Sequence, residues 1–405
     1  MFSETTPLPP LRHDLDAVEI MPGIIRLYDD LGYTDSTVQL PIEIIDYLLY
    51  MDGKRTVLEL AGHAAQAGFP FDSMKFLEIV EILEEEGFLE TETFQRQREE
   101  LHHDYNSLTL RPAFHAGYAY PDDPDELRAM LDQYLSPTPE QLSSPTTTPV
   151  GFFIPHVDPR LGGQVYGAAY NAMRENDADT FIILGVPHRM SYDRFMFSTM
   201  DFDTPLGAVE TDREFIAKFR ENLSFHLTED QIAHRIEHSI EFQALFLRHL
   251  FPDRPIRIVP ILANSLYDYV ETGRGGAEED EKLTELYTTL SRTAAELKRK
   301  VCWIASVDFC HVGRKFGDSF DARTILDKVR RHDEKLIEAA AECNAGEFLQ
   351  RLVDVRNEYK VCGVSPMYAM LRAANLKRGE LLAYDQWDEE ETDSAVSFAS
   401  MAFYR

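Results

Sequence analysis

The chain has 405 residues, and its 40 Lys and Arg residues stand against 70 Asp and Glu residues, which gives a formal net charge of −30 at pH 7. This balance argues against a nucleic-acid partner and against docking to an anionic membrane, because both attract clustered Lys and Arg. The sequence shows no signal peptide and no run of about 18 apolar residues, so we expect a soluble, cytoplasmic protein of two or three domains. Its four cysteines include no C-x-x-C pair and do not indicate a disulfide scaffold.

Residues 1–104 are expected to form a small α+β domain with a winged-helix-like arrangement. Apolar runs at 24–28 and 38–40 predict two short strands, and 88–89 begin an extended closing segment. Three amphipathic helices precede that segment, and their expected first residues or caps are Pro41, Thr56 and either Asp72 or Ser73. The polar stretch at 93–110 is expected to be a connector.

Three short segments of this first domain form a recognisable pattern. They are MPGI at 21–24, DGKRTV at 52–57 and EGFL at 86–89. With them the domain resembles PqqD-like modules, in which the edge of a sheet binds an extended peptide. The acidic run at 84–86 opposes DNA binding, whereas a plain docking or oligomerisation role stays open.

From residue 105 onward, apolar runs alternate with stretches of helical pattern. The runs are 150–154, 180–184, 257–262 and 301–307. Strands that alternate with helices predict an α/β domain over 105–405, with a mainly parallel sheet covered by helices on both faces. In such sheets, ligands bind beyond the carboxyl ends of the strands.

Titratable side chains follow three of these four runs. His156 and His188 come just after the first and second runs, and Asp308 and His311 come just after the fourth. We expect them to converge, because the carboxyl ends of parallel strands lie at one edge of the sheet. Neutral imidazoles from separate strands are the ligands that a mononuclear metal site needs. For the fourth run, a helix cap at Asp308 with a solvated His311 is the alternative.

The segment EHSIE at 237–241 is expected to open a helix. Glu237 and Glu241 stand four residues apart, which would place both carboxylates on one helical face with His238 beside them. His234 and His238 have the same spacing, which is a common geometry for metal ligands. The alternative is a solvated helix N-terminus, where acidic residues suit the helix dipole.

Cys362 precedes another expected helix, in which Ser365 would be the cap and Pro366 the first residue. A thiol at this position feels the positive end of the helix dipole, which predicts a lowered pKa. The resulting thiolate would be a nucleophile or a metal ligand. A small buried hydrophobic residue is the alternative.

Seven motifs follow one another between residue 111 and the end of the chain. They are RPA…AG…YP at 111–121, IPH at 154–156, ILGxxH at 183–188, TPL at 204–206, EHSIE at 237–241, DFCHxG at 308–313 and CGxxP at 362–366. On these residues the chain resembles the Memo-like proteins, a family also called AmmeMemoRadiSam system protein B. The motifs cover nearly all of the last 295 residues.

This resemblance implies the fold of class III extradiol dioxygenases, which use non-haem Fe(II). It also implies one transition-metal ion per chain, held by His156, His188 and Cys362. Fe(II) or Cu is favoured and Zn is the other candidate, because a thiol ligand is softer than the carboxylate of the dioxygenases.

The same resemblance places Asp308, His311 and His238 in the cleft as catalytic candidates, with His311 as the general acid or base. Further cleft candidates are Glu241, Cys310 and Asp158. Asp158 stands where the family has a small residue, and we expect it to orient a histidine. The family's basic pair in CGRHP is replaced by Val364 and Ser365, which argues against any anionic ligand that the pair would hold.

Taken together, these features favour a metal-dependent oxidoreductase related to the dioxygenases. The first alternative is a peptide- or cofactor-binding accessory protein of a radical-SAM-associated system, which would use the same cleft without turnover. The second alternative is a zinc-type hydrolase. The expected partners are a small molecule or a peptide, a radical-SAM protein is a further candidate, and an oligomer is compatible with the sequence.

Overall fold

The computed structural model describes residues 2–136, 147–190, 192–264 and 266–405. The chain divides into two compact units between Ser107 and Leu108, which we call the N-terminal and the C-terminal unit. Within the described part of the chain, every helix is too short or too polar to cross a lipid bilayer.

The N-terminal unit combines a small antiparallel sheet with helices. Its elements are β1 (Asp16–Met21), β2 (Ile24–Tyr28), β3 (Thr37–Pro41), α1 (Ile42–Leu49), α2 (Val57–Ala67), α3 (Ser73–Glu85) and α4 (Glu92–Asn106). The strand order is β1-β2-β3, with β2 in the centre. Leu27 and Leu40 of the sheet share a buried core with Leu60, Val80 and Phe88.

Local sequence signals explain where these helices begin. Thr56 caps α2 in a reciprocal capping box with Glu59, and Asp72 accepts hydrogen bonds from the first turn of α3. The expected connector at 93–110 is wrong, because α4 occupies most of it. Phe94 and Tyr105 are its only buried residues, so the helix lacks the apolar period that would have revealed it.

The C-terminal unit alternates strands and helices along most of its length. Its elements are β4 (Leu110–Arg111), α5 (Pro124–Tyr134), β5 (Gly151–Ile154), α6 (Pro159–Met173), β6 (Thr180–Gly185), β7 (Phe195–Phe197), β8 (Asp201–Phe202), β9 (Glu210–Thr211), α7 (Arg213–Glu221), α8 (Glu241–Leu250), β10 (Arg257–Ala263), α9 (Tyr267–Val270), α10 (Glu281–Glu296), β11 (Val301–Ser306), β12 (His311–Gly313), α11 (Leu326–Ala341), α12 (Ala345–Asp354), α13 (Val364–Ala373), β13 (Arg378–Glu389) and β14 (Ser394–Tyr404).

One large sheet organises this unit. Its strand order is β12-β14-β5-β11-β6-β10-β7, with β13 paired to β14 and β9 to β10. The central strands β5, β11, β6 and β10 are parallel, and the long hairpin of β13 and β14 adds antiparallel strands beside β5. The predicted α/β class with a mostly parallel sheet is therefore confirmed.

Successive residues of the central strands point to opposite faces of the sheet, as strand geometry requires. Phe153 and Ile182 belong to one buried apolar cluster, whereas their neighbours Phe152 and Ile183 belong to another. Both faces are thus covered, which explains why these strands are apolar throughout.

The register of the parallel strands sets the position of the site. Ile154 of β5 pairs with Ser306 of β11, and Leu184 of β6 pairs with Ala305. The three strands therefore end side by side, and the residues that follow each of them meet at one edge of the sheet.

Candidate metal centre

Three histidines come together at this edge. His156 follows β5, His188 follows β6, and His238 lies in the segment before α8. One ring nitrogen of each lies within 4.8 Å of a ring nitrogen of the other two. The ring centroids are 4.8 Å apart for His156 and His188, 5.3 Å for His156 and His238, and 4.5 Å for His188 and His238. We call this group, with Glu237, the histidine cluster.

Hydrogen bonds determine which ring nitrogen can bind a ligand. His156 Nδ1 donates to the carbonyl oxygen of Ser306 at 2.9 Å, and His188 Nδ1 donates to Glu237 Oε1 at 2.9 Å. A carbonyl and an ionised carboxylate only accept hydrogen bonds, so the hydrogen of each ring is on Nδ1. The lone pair of Nε2 is then available to a metal ion, and the partner of Nδ1 fixes the orientation of the ring.

Glu237 holds two of the histidines. Besides His188 Nδ1, its carboxylate accepts from the backbone N–H of His188 at 2.8 Å and of Ser239 at 2.9 Å, and Oε1 lies 3.4 Å from His238 Nδ1. Burial opposes the charge, but the two imidazoles and these hydrogen bonds outweigh it and hold the pKa of Glu237 well below its usual value.

The predicted helical face with Glu237 and Glu241 is wrong, because α8 begins only at Glu241. The Glu237 carboxylate bonds the backbone two residues ahead, a local turn that competes with the helix. The predicted pair of His234 and His238 is also absent from the described residues, since His234 lies in a 3₁₀ turn and its Nε2 bonds the carbonyl of Met196 at 3.0 Å.

Glu241 belongs to a separate buried group that we call the arginine cluster, with Arg111 and Tyr120. Its carboxylate accepts from Arg111 Nη1 at 2.6 Å, from the Tyr120 hydroxyl at 2.6 Å and from the backbone N–H of His115 at 2.8 Å. Arg111 also donates to the backbone carbonyls of His234 and Glu237. The structure therefore places this carboxylate away from the three imidazoles.

Asp308 borders the histidine cluster from the end of β11. Its Oδ1 accepts from the backbone N–H of His156 at 3.1 Å and of Val157 at 3.3 Å, and its Oδ2 lies 3.5 Å from His156 Nε2. Burial raises the pKa of this carboxyl to about 6. Asp308 can therefore hold or release a proton near neutral pH.

Cys362 also reaches this cluster, with its Sγ 3.4 Å from His156 Nε2. The predicted lowering of its pKa is wrong: burial, and next the charge of Asp308, raise the pKa of this thiol well above its usual value. The predicted cap is wrong as well, since Gly363 is the cap of α13 and Ser365 and Pro366 lie inside the first turn. A side chain on Gly363 would collide with Val307, so glycine lets the thiol approach the end of β11. A bound cation would offset the cost of the thiolate.

His311 lies beside this group in β12. Its Nδ1 donates to the carbonyl of Phe309 at 3.1 Å, which leaves the Nε2 lone pair as a base. Burial lowers the pKa of His311. The charge of Asp308 raises this pKa and that of His188 lowers it, so that it stays below its usual value. The neutral form of the ring is thus favoured, with its hydrogen on Nδ1.

Two other predicted cleft residues have partners elsewhere. Cys310 is buried, and its thiol donates to Asp333 Oδ1 at 3.0 Å. Asp158 caps α6 through the backbone N–H of Arg160 at 2.8 Å and pairs with the Arg160 guanidinium. The histidine orientation expected from Asp158 comes instead from Glu237 and from the Ser306 carbonyl.

The charge state of two of the three imidazoles suits a cation. Burial lowers the pKa of His156 to about 3 and that of His238 well below its usual value, so both rings are neutral at pH 7. Burial alone would lower the pKa of His188, but the charge of Glu237 outweighs it and raises that pKa. Three imidazoles, with a thiol in reach, are a donor set that iron, copper and zinc all accept.

A cleft of 60 Å³ opens beside Cys362. Its lining mixes apolar side chains, among them Val186, Leu266 and Val364, with the polar residues Glu271 and Asn357. A small group of a substrate would fit against these side chains, beside the thiol of Cys362.

Sequence analysis did not identify Glu237 or Ser306 as supports of the site. Ser306 is an ordinary strand residue in the sequence, and its contribution is a backbone carbonyl, which no side-chain pattern reveals. The only available signal for Glu237 was its place beside His238 in EHSIE.

Comparison with known proteins agrees with this architecture. The family model described as "Memo-like protein" matches residues 111–402. A MEMO1 family protein of Aquifex aeolicus is 30% identical over 382 residues, which cover 93% of this chain and 95% of that protein. A MEMO1 family protein of Methanosarcina barkeri is 30% identical over 292 residues, which cover 71% of this chain and 97% of that protein. A third, from Thermus thermophilus, is 27% identical over 325 residues, with coverage of 80% and 91%. The chain belongs to the Memo-like protein family.

Proposed function

We propose that this protein is a metal-dependent oxidoreductase in which His156 and His188, with a third donor, hold one Fe(II) or copper ion. The observation that carries the proposal is the convergence of three ring nitrogens within 4.8 Å. For His156 and His188, the Nδ1 partners direct Nε2 toward a common ligand. The resemblance to class III extradiol dioxygenases supports redox chemistry over other uses of the site.

The chain's own residues would position the substrate and move protons. When bound, the metal ion would supply redox chemistry and polarise a ligand. His311 is neutral and presents Nε2 as a general base, while Asp308 has a pKa of about 6 and can carry the proton afterwards. The cleft beside Cys362 would hold part of the substrate next to the thiol.

Two side chains compete for the place of third ligand. The family resemblance favours Cys362, whose Sγ is 3.4 Å from His156 Nε2. The spacing of ring nitrogens favours His238, which also shares Glu237 with His188. Removal of the true third ligand lowers metal content, whereas removal of the other leaves it near the wild-type level.

Elemental analysis of anaerobically purified protein tests the proposal. Near-stoichiometric iron or copper is expected in wild type and in His226→Ala, which removes an exposed histidine as a matched control. The metal should be lost in His156→Ala and in either His238→Ala or Cys362→Ser. Loaded wild type should then consume dioxygen with a catechol or another reductant, and His311→Ala should not. Absence of metal after reconstitution, or absence of any redox activity, would overturn the proposal.

Zinc-dependent hydrolysis is the second candidate, because three imidazoles form a catalytic zinc site in other enzymes. Here His311 would take a proton from a polarised water. Zinc in the purified protein, together with ester cleavage that His311→Ala abolishes and no dioxygen consumption, would favour this function over the first.

For the N-terminal unit we propose peptide binding along β1. Nearly every residue of β1 is exposed, and within the described residues β1 pairs with β2 alone, so its other edge is available to an extended segment. Selection from a peptide display library with the full chain should yield binders that Val18→Lys weakens and that metal removal leaves unchanged. Binders that lose affinity on metal removal would place peptide recognition in the C-terminal unit instead.

A further inference from the structure

A buried amide behind the histidine cluster connects the strand ends that carry it. Gln243 lies in the first turn of α8 and is fully buried. Its Nε2 donates to the carbonyl of Pro155 at 2.8 Å and to Ser306 Oγ at 2.7 Å, while its Oε1 accepts from the Tyr170 hydroxyl at 2.7 Å. Both N–H groups and the carbonyl of the amide are thus engaged.

The partners of this amide are the direct neighbours of the metal-binding residues. Pro155 precedes His156, and the carbonyl of Ser306 accepts the hydrogen on His156 Nδ1. Ser306 Oγ in turn donates to the carbonyl of Ser239, the residue after His238. One side chain therefore links the ends of β5 and β11 and, through Ser306, the segment that carries His238.

Ser239 extends the same connection to the remaining histidine. Its hydroxyl exchanges hydrogen bonds of 3.1 Å with the backbone of Val186, which lies two residues before His188. Gly185 permits this approach, because a Cβ there would lie 2.6 Å from Ser239 Oγ. The three histidine-bearing segments are thereby tied to Gln243: that of His156 directly, that of His238 through Ser306, and that of His188 through Ser306 and Ser239.

We propose that Gln243 is a positioning residue of the metal centre, which sets the spacing between the His156 ring and the carbonyl that holds its Nδ1. The inference rests on the proposed metal-binding function of the three histidines. It gives a reason for a polar residue on a helix face where Phe246 and Leu247, one turn further on, are apolar and buried. A leucine of similar size would fill the same volume, so packing alone does not require the amide.

Cobalt(II) binding to the full chain tests this role, since its absorption spectrum reports the ligand geometry. Gln243→Leu leaves every proposed metal ligand unchanged. It should nevertheless weaken Co(II) binding about 10- to 100-fold, as expected for loss of a residue that supports the ligands, and alter the absorption spectrum. Ser306→Ala should act in the same direction. The controls are Gln231→Leu, a buried glutamine bonded to Ser198 and Thr199, and Ser400→Ala, a buried serine bonded to the Val165 carbonyl. Both should bind Co(II) like wild type.

A second measurement separates this inference from the proposed function. Nitrogen-15 NMR of the metal-free protein reports the tautomer of His156, which is expected to carry its hydrogen on Nδ1 in wild type and to become mixed in Gln243→Leu. If wild type binds no Co(II), the proposed function fails while the tautomer still tests Gln243.

Should Gln243→Leu not fold, Tyr170→Phe removes only the hydroxyl that orients the amide and should show a smaller change of the same kind. Unchanged Co(II) affinity together with an unchanged tautomer would overturn the inference.

Discussion

The histidine cluster and the arginine cluster are two buried polar groups, and each includes a glutamate of the segment 237–241. Glu241 accepts from a guanidinium, a phenol and backbone N–H groups, and its cationic partner Arg111 is charged at every accessible pH. Glu237 instead accepts from the His188 imidazole and lies 3.4 Å from Nδ1 of His238, and both rings are titratable and carry a second nitrogen. In the arginine cluster, the hydrogen bonds of the carboxylate are made within the protein. In the histidine cluster, the Nε2 lone pairs of His156 and His188 are left for a ligand.

The type of hydrogen-bond partner distinguishes these two carboxylates better than their burial or their charge does. Both carboxylates are almost fully buried, so exposure does not distinguish them. Asp333 gives a third case, since it accepts from the neutral donors Cys310 and Tyr384. Burial raises the pKa of Asp333 to about 6, whereas the imidazoles hold that of Glu237 below its usual value. The partner therefore decides what a buried carboxylate can do.

The largest expected effect is on folding, from Glu241→Gln in the arginine cluster. This change leaves the Arg111 guanidinium buried without its counter-charge, which typically costs about 3–5 kcal/mol in the free energy of unfolding. Urea denaturation should show the loss. Glu214→Gln is the control: its carboxylate pairs with Arg299 but is 68% exposed, so the change should cost less than about 1 kcal/mol. A cost below that value for Glu241→Gln would mean that the arginine cluster is not a structural centre.

Asp333→Asn should change how stability depends on pH. The folded pKa of about 6 is above the unfolded value, so the folded state holds this proton more tightly, and its contribution is fully present below pH 4 and lost as pH rises to 6. A shift of this size corresponds to about 3 kcal/mol. Urea titrations at several pH values should show the variant gaining stability relative to wild type over this interval. Arg330 and the phenol of Tyr384 face the same carboxyl and stay unchanged. A constant difference between the two proteins would contradict the raised pKa.

Glu237→Gln should affect metal binding more than folding. The amide no longer presents an anion to His188 and His238, and loss of such a partner costs about 10- to 100-fold in metal affinity. Competitive titration with Co(II) measures this loss, and urea denaturation of the metal-free variant should show a smaller effect than Glu241→Gln. A reversed order would remove the distinction between the two clusters.

The sequence predicted the parts of the molecule that depend on local pattern. Apolar runs marked the central parallel strands, and their register brought His156 and His188 together as expected from topology. The positions of β1 and α4 were not predicted, because exposed strands and polar helices lack an apolar period. The antiparallel hairpin of β13 and β14 was likewise not foreseen.

The errors at the site came from interactions that are distant in sequence. Arg111 is 130 residues from Glu241 in sequence and forms an ion pair with it. Glu237 and Glu241 therefore have different surroundings, although they are the same residue type four positions apart. The expected thiolate at Cys362 depended on a helix dipole, whereas burial and Asp308 dominate its pKa. No local rule assigns a backbone carbonyl such as that of Ser306 to a histidine ring.

The smallest expected effect, from Tyr120→Phe, tests whether the two clusters are independent. The change removes one donor to Glu241 but keeps Arg111, whose Nη2 still holds the Glu237 carbonyl at 2.7 Å. One hydrogen bond to a charged group is worth about 1.5–3 kcal/mol, so urea denaturation should show a loss of that size. Tyr404→Phe, whose hydroxyl bonds a half-exposed Glu380, is the matched control and should cost less. Co(II) affinity should be unchanged in both variants. A tenfold loss of Co(II) affinity in Tyr120→Phe would show that a change at Glu241 alters the position of Glu237 through Arg111. The arginine cluster would then be part of the metal centre.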